Sequence, residues 1–154
     1  MDEKLTKIFF ELDPKAWHGC ETESMWAEDL GGGRYRLRNS PFHAYDVSFN
    51  DVVRGEPSEG VIWFKGVLER SGCSTFRIRL QRGLTHDSPD FVEEWSPFKA
   101  LGCGYEGGNF GRARIFAINV PDSADIETIW HLLMEGKDRG LWDVEVVQCE
   151  HWLD

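Results

Sequence analysis

Several groups of residues in this chain have the types and spacing that chemistry uses. Cys73 and Arg79 have five residues between them, the minimal spacing of a phosphatase loop. Such a loop needs glycine and small residues so that its backbone N–H groups can cup a phosphate. Here Phe76 and Ile78 alternate with Arg77 and Arg79, so the segment reads as a strand, and an extended chain cannot curl into an anion nest. Gly102, Gly104 and Gly107 match the letters of a dinucleotide fingerprint. The fingerprint works only with a strand before it and a helix after it, so that the helix N-terminus meets the pyrophosphate. The pattern here predicts the reverse order, and a hairpin between two strands accounts better for the glycines.

Two further sets involve ligand and acid chemistry. His18 and Cys20, with Cys149 and His151, would supply four zinc ligands, yet each pair is separated by one residue, which strains the chelate. Exposed polar positions at a loop and a terminus are the simpler reading. Asp46 and Asp51 could form a carboxylate pair, and with Arg70 and Ser71 they are the set from which an active site would have to be built. No His or Lys stands beside them in the sequence, and Asp is common in turns. The chain has no Gly-x-Ser-x-Gly, Walker loop or His-Glu-x-x-His. The sequence therefore predicts no catalytic residue, no cofactor and no metal: a binding protein, not an enzyme.

The elements that position these residues follow from periodicity. Residues 4–12 place Ile8, Phe10 and Leu12 on one face of a strand. A second strand over 23–29 turns at Gly31-Gly32-Gly33 into 34–39, where Tyr35 and Leu37 oppose three arginines. After Pro41, Val47, Phe49 and the Asp51-Val52-Val53 group suggest further short strand, 55–60 a turn, and 61–70 a central strand. From residue 74 the pattern changes. Strand 74–81 precedes a helix opened by Ser88-Pro89-Asp90 and disturbed by Pro97. A Gly-rich segment leads into strand 113–120, Pro121-Asp122-Ser123 opens a second helix that Gly136 or Gly140 ends, and 142–149 is a last strand. The prediction is an α+β fold. A bent antiparallel sheet or partial barrel (1–72) packs against a ferredoxin-like β-α-β-β-α-β unit (73–154) as one compact body.

Composition limits the partners. Seventeen Lys and Arg against 27 Asp and Glu give a formal charge of −10, which repels phosphate backbones and anionic membranes and favours a basic macromolecule. No apolar run follows the N-terminus and none approaches the ~20 residues of a membrane span, so a cytoplasmic protein with four free thiols is expected.

Four ordered blocks carry a family resemblance. They are Glu23-Ser-Met-Trp26-Ala-Glu28, then Gly33-Arg-Tyr-Arg-Leu-Arg-Asn39-Ser-Pro41-Phe42, then Asn50-Asp51-Val-Val53, then Arg70-Ser71-Gly72-Cys-Ser74-Thr75. Over residues 5–150 they resemble an uncharacterised bacterial domain family with W-A-E, N-x-P-F, G-D-x-V and R-S-G-x-S-T blocks. This chain has Asn50 where that family usually has Gly, and Asn is the next best residue at positive φ. The resemblance carries no chemistry, and it implies proteins that accompany secreted toxin systems, immunity proteins among them. The last block could bind an anion or a peptide edge, but a sharp bend at Gly72 with hydroxyls satisfying nearby backbone groups is favoured. Trp26 and Phe42 are expected in the core.

Together these readings predict a cytosolic immunity protein that occludes a cognate, basic toxin domain such as a nuclease. Its binding acids would be Glu56 and Glu59 in a turn and Asp87, Asp90, Glu93 and Glu94 on the first helix. The alternative is a regulatory or small-molecule-sensing ferredoxin-like module. The oligomeric state is left open.

Overall fold

A computed structural model describes residues 5–16, 19–81, 83–110 and 113–152. The first alternation becomes β1 (Leu5–Glu11), with Ile8 and Phe10 buried. It pairs antiparallel with β2 (Thr22–Gly31), and three glycines at positive φ turn the chain into β3 (Arg34–Leu37), as the hairpin signal predicted. β4 (Val52–Ser58) and β5 (Val61–Glu69) complete the meander. The ring then closes through a parallel contact of β1 with β5 at Ile8–Ile62 and Phe9–Trp63, so the expected partial barrel is a closed one.

Two expectations fail in this half for local reasons. Of the strand expected over Val47, Phe49 and Asp51-Val52-Val53, Val52 and Val53 are extended as the start of β4. None forms around Val47 and Phe49, because Asp46 and Asn50 adopt φ of 64° and 69°, and two left-handed residues within five positions prevent an extended ladder. Residues 38–51 run instead as an irregular segment whose Ala44 and Val47 plug the barrel core. The turn predicted over 55–60 shrinks to Glu59-Gly60, and 55–58 belong to β4. Gly55 serves packing rather than turning: a Cβ there would stand 2.7 Å from Ile62 Cγ2 and 2.8 Å from Tyr35 Cε2.

The second half is a four-stranded antiparallel sheet in the order β7-β8-β6-β9, built from β6 (Ser74–Leu80), β7 (Gly104–Phe110), β8 (Ala113–Val120) and β9 (Trp142–Gln148). Helix α1 (Pro89–Ala100) connects β6 to β7, and α2 (Ile126–Asp138) connects β8 to β9. Phe76, Ile78 and Leu80 of β6 and Phe116, Ile118 and Val120 of β8 share one face and bury it against Phe91, Trp95 and Phe98 of α1 and Ile129 and Leu133 of α2. This aromatic cluster is separate from the barrel core.

Helix α1 starts where Ser88-Pro89 predicted, although the Ser88 hydroxyl binds back to the Thr85 amide (2.9 Å) rather than capping the helix. Pro97 does not shorten it before Ala100. Helix α2 begins three residues beyond Ser123, at Ile126, because Asp125 is the working cap and accepts from the Thr128 amide (3.3 Å) and hydroxyl (2.7 Å). Gly140, at φ 75°, follows its end, and Gly136 lies inside it. The Gly102–Gly107 run follows α1 and enters β7, with β8 next, so the order is the reverse of a dinucleotide site.

All four cysteines are free thiols; Cys103 and Cys149 are buried, while Cys20 and Cys73 are half-buried. Burial pushes the Cys103 thiol up to about 11 and also raises Cys149. At pH 8 the native protein should therefore react with a thiol reagent at Cys20 and Cys73, and at all four positions only after unfolding. Because Cys103 stays neutral in the fold, its contribution to stability persists below the unfolded thiol value (about 8.5) and is lost as pH rises from there toward 11. Alkylation followed by peptide mass analysis checks the first point; rapid labelling of native Cys103 would contradict it.

Candidate functional site

The barrel and the sheet meet along residues 38–51, and there the sequence blocks converge. The chain leaves β5 at Arg70 and bends at Gly72 (φ 90°), where a Cβ would meet Asp122 Cγ at 2.8 Å. That bend brings Arg70 and Ser71 to Asp51, whose side chain is buried. Asp51 Oδ1 accepts from the Ser71 amide (2.9 Å), and Oδ2 accepts from the Ser48 amide (3.0 Å) and Arg70 Nη1 (3.2 Å). Arg70 also donates to the Asp46 carbonyl (2.6 Å). Ser71 Oγ donates to the Phe49 carbonyl (2.8 Å) and accepts from the Cys73 amide (3.1 Å). Asp51, Arg70 and Ser71 are thus assembled as the sequence allowed, and their side chains bind one another and the backbone, whereas Asp46 joins them only through its carbonyl and is itself exposed. A general base needs a lone pair directed at its substrate, and this arrangement aims the Asp51 carboxylate into the joint.

The rest of the block continues the joint. Thr75 Oγ1 donates to Ser48 Oγ (2.7 Å). His151 Nε2 lies 2.9 Å from the Pro121 carbonyl, which can only accept, so Nε2 donates to it, and Nδ1 shares a hydrogen bond with Ser74 Oγ (2.6 Å). Ser74 Oγ in turn accepts from the Glu150 amide (2.9 Å), which pins the C-terminal turn. Asn39 Oδ1 accepts from the Trp26 amide (2.7 Å) and its Nδ2 donates to Glu106 (2.7 Å), whose other oxygen takes the Ser40 amide. Pro41 is buried in the same segment.

Sequence reasoning missed the acids and the arginine that complete this joint. Glu23 receives three consecutive amides, from Phe42 (2.6 Å), His43 (3.0 Å) and Ala44 (2.8 Å). Arg77, buried beneath the segment, donates to the Ala44 (2.9 Å) and Pro41 (3.4 Å) carbonyls and to Glu145 (2.6 Å), with its guanidinium 4.7 Å from the Tyr45 ring centre. Tyr45 donates to the same Glu145 carboxylate, and burial followed by that carboxylate raises its hydroxyl. One signal was available: Glu23 shares strand parity with Met25 and Ala27, so it points inward at the barrel mouth.

Other predicted positions lie elsewhere. Trp26 is not core but 44% exposed: Met25 and Ala27 fill the barrel, so the residue between them faces out, where Lys7 Nζ sits 5.0 Å over its ring. Phe42 is half-buried, and Glu28 pairs with Arg36 (3.1 Å). Glu56 pairs with Arg54 (2.8 Å) and Glu59 is exposed on the β4–β5 turn, while Asp87, Asp90 and Glu93 are exposed at the start of α1. Glu94 makes a two-point pair with Arg139 (2.7 and 2.9 Å) that ties α1 to α2. The acids thus form two groups, one on the barrel and one on a helix of the other sheet. His18 lies outside the described residues, and among those described no three His, Cys, Asp or Glu side chains are placed to hold a metal.

Barrel, sheet and polar joint define a mixed α+β protein whose buried charges serve its architecture. Residues 23–144 match the family described as a domain of unknown function (DUF4265), and the chain belongs to that family. No curated protein matches it. A hypothetical protein from Neisseria gonorrhoeae has a similar structure, with a TM-score of 0.75 at 15% sequence identity over 97% of this chain and 98% of that one, a likeness of fold. No helix among the described residues is long and apolar enough to cross a membrane.

Proposed function

We propose that this protein is a cytoplasmic binding protein of the immunity type, which occludes a basic toxin domain such as a nuclease. The observation that carries the reading is the division of its charge. Glu23, Asp51, Glu106 and Glu145 are committed to the joint, whereas Asp87, Asp90 and Glu93 stand exposed on and just before the first turns of α1, around an exposed Val92. With a chain charge of −10, such a surface attracts a basic partner, speeds its approach and offers an apolar point beside the acids. The Thr85 hydroxyl holds the Asp87 carboxyl below its usual range, which favours its charged form. The β-α-β-β-α-β order of the second half, with β6 between β8 and β9, supports a ferredoxin-like unit as the platform for that helix.

The test is co-purification with the product of the neighbouring gene, followed by association kinetics. Asp90→Lys with Glu93→Lys should slow association about tenfold or more at low salt, and the difference should shrink as salt rises. Absence of any stable complex with neighbouring products, or association unchanged by the double reversal, would remove the reading.

A further inference from the structure

The two edges of the four-stranded sheet are guarded unequally. β9 carries Asp143 and Glu145, and the Asp46 amide donates to the Val147 carbonyl (3.2 Å), so the segment over 38–51 covers part of that edge. β7 pairs with β8, and among the described residues no strand lies on its other side. Alternate residues of such a strand turn their N–H and C=O groups away from the sheet. Gly104 and Gly107 are exposed, and the strand contains no Lys, Arg or Pro. Its single charge, Glu106, is held by Asn39 and Ser40. β7 therefore lacks the devices that keep other strands away.

Helix α1 overhangs this edge. Phe91 packs on Tyr105 of β7 (5.9 Å between ring centres) and on Phe116 of β8 (4.9 Å), which sets the helix over the gap between the two strands. Glu94 reaches Arg139 of α2 (2.7 Å), so one flank of α1 faces the second helix. Val92 lies about 200° from Glu94 around the helix, with Ser96 and Lys99 beside it, so these three face outward past β7. All three are exposed, Val92 by 57%, and no acid of α1 shares their flank.

We propose that the β7 edge and this flank of α1 bind a second copy of the chain. The two β7 strands run antiparallel across a two-fold axis and join the sheets into one, and that symmetry closes the assembly at a dimer. With strands ~4.8 Å apart, the two α1 helices come to about 10 Å, the spacing of packed helices. Val92 then lies against the helix flank of the other copy, and the small Ser96 allows the approach. Charge selects this occupant. Copies of net charge −10 repel, so they meet where acids are absent, whereas a basic partner is drawn to the acids. One strand and one helix flank make a small interface (below ~1,200 Å²), so a dissociation constant in the micromolar range is expected. The inference goes beyond the partner reading, and its test uses this chain alone; a partner seated on Val92 would have to part the copies.

The test is sedimentation velocity combined with amide hydrogen exchange from about 5 µM to about 1 mM, a span that covers micromolar self-affinity. The protein should pass from monomer to dimer. Exchange of the β7 amides that point away from β8 should slow at least threefold across the range, while the edge amides of β9 stay unchanged. Val92→Glu with Ser96→Glu should weaken the dimer at least tenfold without lowering the melting temperature of the dilute protein. A monomer at every concentration, or a dimer whose β7 exchange does not change, overturns the proposal. The exchange experiment uses the unmodified protein, so it decides the question even if the variant fails to fold.

Discussion

Replacing Asp51 with alanine is expected to destabilise the protein by about 3–5 kcal/mol, the range for breaking a buried charge pair. The side chain is buried and is the common acceptor for the Ser48 and Ser71 amides and for Arg70. Alanine leaves two amides without a partner, at about 1–3 kcal/mol each, and frees Arg70 from the carboxylate it pairs with. Arg70 is one-third exposed and can recover some hydration, which keeps the loss near the sum of the amide terms. For a chain of this length the melting temperature should fall by roughly 10 °C. Asp51→Asn should also destabilise, because an amide NH2 would face donors. Glu56→Ala, on the surface, should stay within about 0.5 kcal/mol. Urea unfolding followed by tryptophan fluorescence measures all three. A loss below about 1 kcal/mol for Asp51→Ala would show that the joint does not depend on this carboxylate.

Gly136→Ala should destabilise by about 2 kcal/mol or more, against the direction of helix propensity. In an exposed helix interior this change gains up to ~1 kcal/mol. At position 136 the added Cβ would enter the Trp142 ring, with Nε1 only 2.7 Å away and two ring carbons nearer. The indole cannot swing clear: it is buried, its Nε1 donates to the Leu133 carbonyl (3.0 Å), and Phe98 packs edge-on against it. Either the helix retreats from β9 or that hydrogen bond breaks. A melting temperature raised by the substitution would refute the packing described for this helix and strand.

What the sequence disclosed and withheld divides along physical lines. Elements with their own periodicity and local end signals were legible: the β2–β3 hairpin from its three glycines, β6 from its arginine alternation, α1 from Ser88-Pro89. Where two local signals competed, reading failed. Pro121-Asp122-Ser123 imitates a helix start, yet Asp125 holds the cap because only it has Thr128 three residues on. Barrel closure was beyond reach, since the β1–β5 contact joins residues more than fifty positions apart. The joint was partly legible. Its blocks were visible in order, but nothing in one chain shows that Asn39 reaches Glu106 or that Glu23 gathers three amides from residues 42–44. Trp26 misled because its size suggested burial while its parity set it outside.

The segment over 38–51 has a mechanical consequence. It gives Ala44 and Val47 to one core and its carbonyls to an arginine of the other sheet, so displacing it would disturb both halves at once. A rearrangement of this wall would uncover part of the barrel core and leave a buried guanidinium short of its acceptors, two costs that fall together.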